Sequence, residues 1–403
     1  MPNIFVGIDV SKDKFDVGIK DERNETVSAG KFYKVNKWGI RKFIANVDDI
    51  SSELKAKPVF GLEATGIYYL PIYEYLHQVN ANVFLLNPLE IKKKDRRMIR
   101  KTKTDKLDAL FIAESLMLRY LDHHQYKHTG KAAELREYCR IRGRLMGKSV
   151  KCKTQASRNL DVLCRGYDRL FTDVFSKSSV AVIKKAIRKT RLFEVSKEDI
   201  MDELSNRQTD AWREKKAEAV INVFNGSVLS EDDRDAYITE LHMLIQQYDL
   251  LQAQIARMDR TIERLVDGLD TRIRTIPGIG PVTCGIIISE IGDISRFKNP
   301  QQLVAYAGLD PSIYESGRSK RIGHISKRGS PILREALYHA AFAGVKFNPV
   351  LEKYYNRLKG RGKHHKVCVV AVARKLLHIV YSVWKNDRVF YVPENIKKKA
   401  NTK

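Results

Sequence analysis

Ile4-Phe5-Val6-Gly7-Ile8-Asp9 is a compact apolar run that closes on an acid, and Phe15-Asp16-Val17-Gly18-Ile19 soon after it alternates apolar with polar or small residues. The first run has the composition of a buried strand, the second the period of two of a half-buried one. Ser11-Lys12-Asp13-Lys14 between them suits a tight hairpin turn. Working outward, Pro58-Val59-Phe60-Gly61-Leu62-Glu63 is another short strand ending in an acid, and Asn82-Val83-Phe84-Leu85-Leu86 a further one, stopped by Asn87-Pro88. A basic stretch runs from Lys92 to Lys103. A helix then starts at Thr104-Asp105, with Leu107, Leu110, Phe111 and Ala113 at helical spacing. Residues 1–125 therefore read as a mixed α/β domain.

The 403 residues exceed what one core usually spans. Residues 126–268 are helical in pattern and rich in Lys and Arg, with no chemistry assignable to them. Within them Tyr237, Leu241, Leu244, Tyr248, Leu251, Ile255, Met258, Ile262 and Leu265 alternate four and three apart. This is a heptad seam of the coiled-coil kind, with Ser230 and Asp233 suited to its N-cap. Such a seam must be covered, either by an antiparallel helix of the same chain or by a second copy. Residues 269–403 read as a compact, mainly helical domain with many turns.

The formal net charge of +25 favours a polyanionic partner, because the Lys and Arg residues cluster. Asp9 and Lys12 interrupt the only early apolar run, so no signal peptide is expected. No apolar stretch approaches the roughly 18 residues of a membrane span, and no membrane is expected. Cys139, Cys152, Cys164, Cys284 and Cys368 form no Cys-x-x-Cys pair, which signals neither disulfides nor zinc and fits a cytoplasmic location.

Four acids stand out. Asp9 and Glu63 end strands, and Asp105 and Asp108 lie three apart on one helix face. Hard oxygen ligands converging from rigid elements are what a pair of Mg²⁺ ions needs for phosphoryl transfer. Each acid alone has a plain reading: a solvated strand end, a helix N-terminal acid, a partner for a lysine. Gly61 to Gly66 has the glycine spacing of a phosphate loop, but Ile67-Tyr68 follows where Lys and Ser or Thr are required.

In the last third, Ile276-Pro277-Gly278-Ile279-Gly280-Pro281 resembles the hairpin of a helix-hairpin-helix unit. There Gly278 and Gly280 would let backbone N–H groups approach a DNA phosphate; a plain interhelical turn is the alternative. Glu315-Ser316-Gly317 lies among Arg318, Lys320, Arg321, Lys327, Arg328 and Arg334. A serine set among cations suits attack on a DNA phosphodiester. Ser312, Ser319 and Ser326 compete with Ser316 inside the same patch.

These residues carry a resemblance over nearly the whole chain. Gly7-Ile8-Asp9-Val10-Ser11-Lys12, Glu63-Ala64-Thr65-Gly66-Ile67-Tyr68, Lys103-Thr104-Asp105-Lys106-Leu107-Asp108-Ala109, Ile276 to Gly280, Tyr306-Ala307-Gly308-Leu309, Ser316-Gly317, Ile325 to Gly329 and Leu333-Arg334 follow one another as in the DEDD transposases of bacterial insertion sequences. Those proteins are relatives of the Piv invertase, and some are described as bridge-RNA-guided recombinases. The resemblance implies a RuvC-like domain of the RNase H fold, a coiled-coil region and a C-terminal transposase domain. It implies that Asp9, Glu63, Asp105 and Asp108 hold Mg²⁺ and that Ser316 forms a phosphoserine link to DNA. It further implies donor and target duplex DNA, a guide RNA, and a homodimer assembling to a tetramer. Two departures are Ser330, where Asn is frequent, and Glu315, where a neutral residue is frequent; the chain is also somewhat long near 165–230. A RuvC-type structure-specific endonuclease and a non-catalytic nucleic-acid-binding protein are the other readings open on sequence.

Overall fold

The computed structural model describes residues 1–63, 67–86, 105–120, 131–187, 195–204, 207–226, 231–316 and 319–392, with the side chains of Arg119, 231–233 and 313–322 left aside. It divides into two compact units, Met1–His128 and Thr129–Lys403. The basic stretch from Lys92 to Lys103, Ser230 and Arg318 lie outside the described residues.

The first unit is built on one sheet of five strands: β1 (Asn3–Val10), β2 (Lys14–Asp21), β3 (Thr26–Lys34), β4 (Lys57–Glu63) and β5 (Asn82–Leu86), in the order β3-β2-β1-β4-β5. β1, β2 and β3 run antiparallel to their neighbours, and β1, β4 and β5 run parallel. The Ser11–Lys14 turn forms as its residues dictate, with the Ser11 hydroxyl donating to the Lys14 carbonyl at 2.7 Å. Helices α1 (Lys37–Glu53) and α2 (Leu70–Gln78) belong to the apolar core of one face, with Ile4, Val6, Ile8, Phe15, Val17, Ile19, Phe60 and Leu62. Strand alternation sends the intervening residues to the other face, which takes helix α3 (Asp105–Arg119). Phe5, Val59, Phe84 and Leu86 meet Ile112 and Leu116 there.

β3 and α1 carry only weak signals in the sequence. β3 (Thr-Val-Ser-Ala-Gly-Lys-Phe-Tyr-Lys) is an edge strand, largely exposed, so it lacks the apolar alternation of an inner one. α1 buries only Ile40, Phe43 and Val47, a sparse stripe.

In the second unit, α4 (Lys131–Leu163) leads to α5 (Lys177–Ile187), α6 (Lys197–Glu203), α7 (Asp210–Asn225) and the long α8 (Glu231–Asp267). α4 and α8 lie side by side. Arg142 pairs with Asp259, Gln252 donates to Ser149 at 2.9 Å, Cys152 to the Leu244 carbonyl at 3.1 Å, and Asn159 to Glu240 at 2.9 Å. The numbers rise along one helix as they fall along the other, so the pair is antiparallel. Leu241, Leu244, Leu251, Ile255 and Ile262 of the seam are buried within this unit.

The chain ends in α9 (Pro281–Ile291), α10 (Pro300–Tyr306), the hairpin β6 (Pro311–Ser316) and β7 (Ser319–Ile325), α11 (Pro331–Phe347), α12 (Pro349–Lys359) and α13 (His365–Lys385). Leu135 and Cys139 of α4 and Ile262 and Val266 of α8 share a core with these helices, so the regions 126–268 and 269–403 pack as one unit. Two expectations need correction. The hairpin β6–β7 stands where only turns and helices were read. α13 is long and apolar enough to cross a membrane by length and composition, whereas the sequence reading found no such stretch. Arg374, Lys375 and His378 break its apolar runs, so no uninterrupted apolar stretch marks it in the sequence. Its Cys368, Val369, Val372, Ala373, Leu376, Leu377, Val380 and Val383 are buried in the core.

Candidate active site

Three glycines floor the face on which α3 lies. Gly7 of β1 is paired with Gly18 of β2 on one side and Gly61 of β4 on the other. A Cβ on Gly7 would stand 2.1 Å from the Ala109 carbonyl oxygen, and one on Gly18 would stand 2.8 Å from the Leu110 nitrogen. Only bare backbone lets the helix sit this close.

Two residues from each glycine, on the same face, is a carboxylate. Asp9 follows Gly7, Glu63 follows Gly61, and Asp16 precedes Gly18 directly across from Asp9. The register from Ile8–Leu62 carries Asp9 next to Glu63. α3 begins with Asp105 and Asp108, one turn before the Ala109 and Ala113 that rest on Gly7. Asp9 accordingly lies in a crowd of like charge. Burial first, then Asp108, Glu63, Asp105 and Asp16, push its pKa from 3.8 up to about 6. Lys14 answers part of this charge: its Nζ lies 2.9 Å from Asp105 Oδ2 and 3.1 Å from Asp16 Oδ2.

The four acids named from the sequence are thus brought to one end of one sheet face. Asp16 and Lys14 were missed, though the hairpin register from Ser11 to Lys14 would have placed Asp16 opposite Asp9. Among the described residues no three acid, His or Cys side chains are gathered tightly enough to hold a metal ion. The donor set is nonetheless all oxygen, gathered on a partly buried carboxylate with Lys14 opposing the acids, the environment a hard divalent cation fits.

In the second unit, Ser316 is the last residue of β6, paired with Ser319. The hydroxyls of two competitors are committed: Ser312 donates to the His324 carbonyl at 2.7 Å, and Ser326 to Asp310 Oδ1 at 2.5 Å. The side chains of Ser316, Ser319, Lys320 and Arg321 lie outside the described residues. The base of the hairpin is pinned by two glycines with positive φ. A Cβ on Gly308 (φ +67) would come 2.0 Å from the Arg328 carbonyl oxygen, and one on Gly329 (φ +110) would come 2.0 Å from that of Tyr306. Arg334 donates to the Gly329 and Ala307 carbonyls at 3.0 and 3.3 Å, so its guanidinium holds this crossing. Lys327 and Arg328 are exposed. Ser330 caps α11, accepting from the Leu333 N–H at 3.2 Å, a task Asn performs equally well.

Gly278, with φ +101, packs against α11: its Cβ would stand 2.7 Å from Gly344 Cα. Gly280 faces open space at the N-cap of α9, where no side chain caps the helix.

Two family models match the chain, the first running past the boundary at His128 and through α4 of the second unit. A model of the DEDD IS110 type, described as "Transposase", matches residues 6–165, and the "Transposase IS116/IS110/IS902 family" model matches residues 270–356. The chain is similar to the pilin gene-inverting protein of Moraxella bovis, 38% identical over 29% of this chain and 37% of that protein. It is similar to the insertion element IS110 uncharacterized 43.6 kDa protein of Streptomyces coelicolor, 30% identical over 30% of this chain and 29% of that one. These two matches span about a third of each relative's length. Similarity to the transposase for insertion sequence element IS1328 of Yersinia enterocolitica covers 97% of this chain and 99% of that protein at 24% identity.

Proposed function

We propose, from the chain's membership of the IS116/IS110/IS902 transposase family, that it is a DNA recombinase whose sheet-end acids and Ser316 cut and rejoin DNA strands. The observation that carries this is the convergence of Glu63, Asp105 and Asp108 on Asp9, whose pKa is raised to about 6 by burial first and then by these neighbouring acids. The strand order β3-β2-β1-β4-β5, antiparallel on one side of β1 and parallel on the other, supports an RNase H-like, RuvC-like reading.

Asp9, Glu63, Asp105 and Asp108 would hold Mg²⁺, which when bound supplies charge neutralisation at the attacked phosphate. The Ser316 hydroxyl gives up its proton and forms a bond to phosphorus. The bond to the departing sugar oxygen breaks, and that oxygen takes a proton. Attack by a hydroxyl of the second strand reverses the exchange and frees the serine. Lys327 and Arg328, with Lys320, Arg321 and Arg318, neutralise DNA phosphates. The open N-terminus of α9 at Gly280 suits a further phosphate, while Gly278 and Arg334 serve by shaping their turns. Donor and target duplexes, a guide RNA, a homodimer assembling to a tetramer and a cytoplasmic location complete the reading. The acids and the serine belong to different units, and their meeting on one phosphorus is part of the proposal.

The test is a pair of variants on a duplex carrying the element's end. Ser316→Ala should abolish the covalent protein–DNA product on a denaturing gel while binding persists. Undiminished cleavage by that variant would instead favour a RuvC-type endonuclease. Asp9→Ala should stop cleavage under both readings, and full activity would remove the acid site from the chemistry.

A further inference from the structure

A second surface of the first unit exposes two large aromatic rings among lysines. On the edge strand β3 and the start of α1, Phe32 and Trp38 are 64% and 77% exposed. Both line a depression of about 590 Å³ shared with Lys31, Lys34, Asn36 and Lys42, and no carboxylate lines it. Large aromatic rings left in water are costly unless something covers them. The rings stand among cations, which selects an anionic cover. A protein strand adding to the β3 edge would use backbone pairing and would not call for two bare rings amid lysines. Unpaired nucleotides offer both parts: a π-face for each ring and a phosphate for each lysine. Duplex DNA keeps its bases stacked on one another and offers only the phosphates.

The patch is also continuous with the acids. Lys14, whose Nζ bonds Asp105 and Asp16, lies 5.6 Å from the centre of the Phe32 ring. Gly30, three residues before Tyr33, faces the Lys106 side chain at the start of α3. A strand with one phosphate at the acids therefore meets Phe32 within the next nucleotides.

We infer that Phe32 and Trp38 form a stacking platform for unpaired DNA bases flanking the phosphate held at the acid site, with Lys31, Lys34 and Lys42 on the backbone. The inference rests on the acid-site reading for its choice of DNA. Both rings are exposed, so replacing them leaves the core intact. The test uses the full chain and fluorescence anisotropy with labelled oligothymidine, oligouridine and a duplex of equal length. Phe32→Ala/Trp38→Ala should weaken oligothymidine binding by about tenfold or more, as loss of base stacking does, and leave duplex binding unchanged. Phe32→Tyr/Trp38→Phe should restore it. With Trp212 and Trp384 replaced by Phe, oligothymidine should quench Trp38 fluorescence, and a matched abasic strand should not. Equal affinity of the alanine variant for oligothymidine, or a loss confined to oligouridine, would overturn the proposal. Asp9→Ala separates the two readings: it should stop cleavage without weakening oligothymidine binding. Cleavage surviving Asp9→Ala would defeat the acid site while the stacking result stood.

Discussion

Asp9 is the residue on which the proposed chemistry turns, and its environment sets a pH signature. In the unfolded chain its carboxyl ionises near 3.8, in the native one near 6. Above about pH 6 both states are ionised, and the native state carries the cost of crowding the charge. As pH falls from about 6 to 3.8, the native state takes up a proton that the unfolded chain does not. This group's contribution therefore favours folding at the acid end and is lost as pH rises through about 6. Its scale is at most about 2 kcal/mol once partial solvent screening is allowed for. Without divalent cations, Asp9→Asn should raise the melting temperature near neutral pH and change it little at about pH 4. A loss of stability at neutral pH would mean that the carboxylate is compensated rather than crowded. Lys14 was invisible to sequence reasoning because a turn lysine is ordinary; its role appears only once β2 and α3 bring Asp16 and Asp105 beside it.

At the scale of elements, the acids depend on how close α3 lies to the sheet. Gly7→Ala would drive a methyl to 2.1 Å from the Ala109 carbonyl oxygen, lifting the helix and with it Asp105 and Asp108. The expected result is destabilisation of about 1–3 kcal/mol and loss of cleavage, with every proposed ligand still present. Gly143→Ala in α4 is the control: nothing lies within 4 Å of its Cβ, and removing a helix-interior glycine should stabilise by roughly 0.5–1 kcal/mol. Equal melting temperatures for Gly7→Ala and the parent would show that the helix has room to spare. The inner strands and α3 were legible because burial imposes period and composition on them. Edge strand β3 and hairpin β6–β7 were not, since exposed strands face no such demand. The four acids could be picked out by their positions at strand and helix ends, but the glycine floor that unites them becomes visible only with the register.

At the scale of the molecule, the charge of +25 is the dominant fact. Affinity for duplex DNA should fall steeply and linearly in a plot of log binding constant against log salt, by about three to five powers of ten between 50 and 200 mM if about six to ten phosphates are neutralised. A flat dependence, measured by filter binding, would show that the lysines and arginines are scattered rather than gathered on the DNA. Oligothymidine held by stacking should show a shallower slope than duplex.

The heptad seam of α8 predicted a covered stripe and left its cover open; α4 provides it from the same chain. Met243 and Leu250, at 64% and 59% exposed, remain on the outer side. A monomer thus finishes its longest helical contact without waiting for a second copy. The seam is therefore closed at any dilution, since no second copy is needed to cover it.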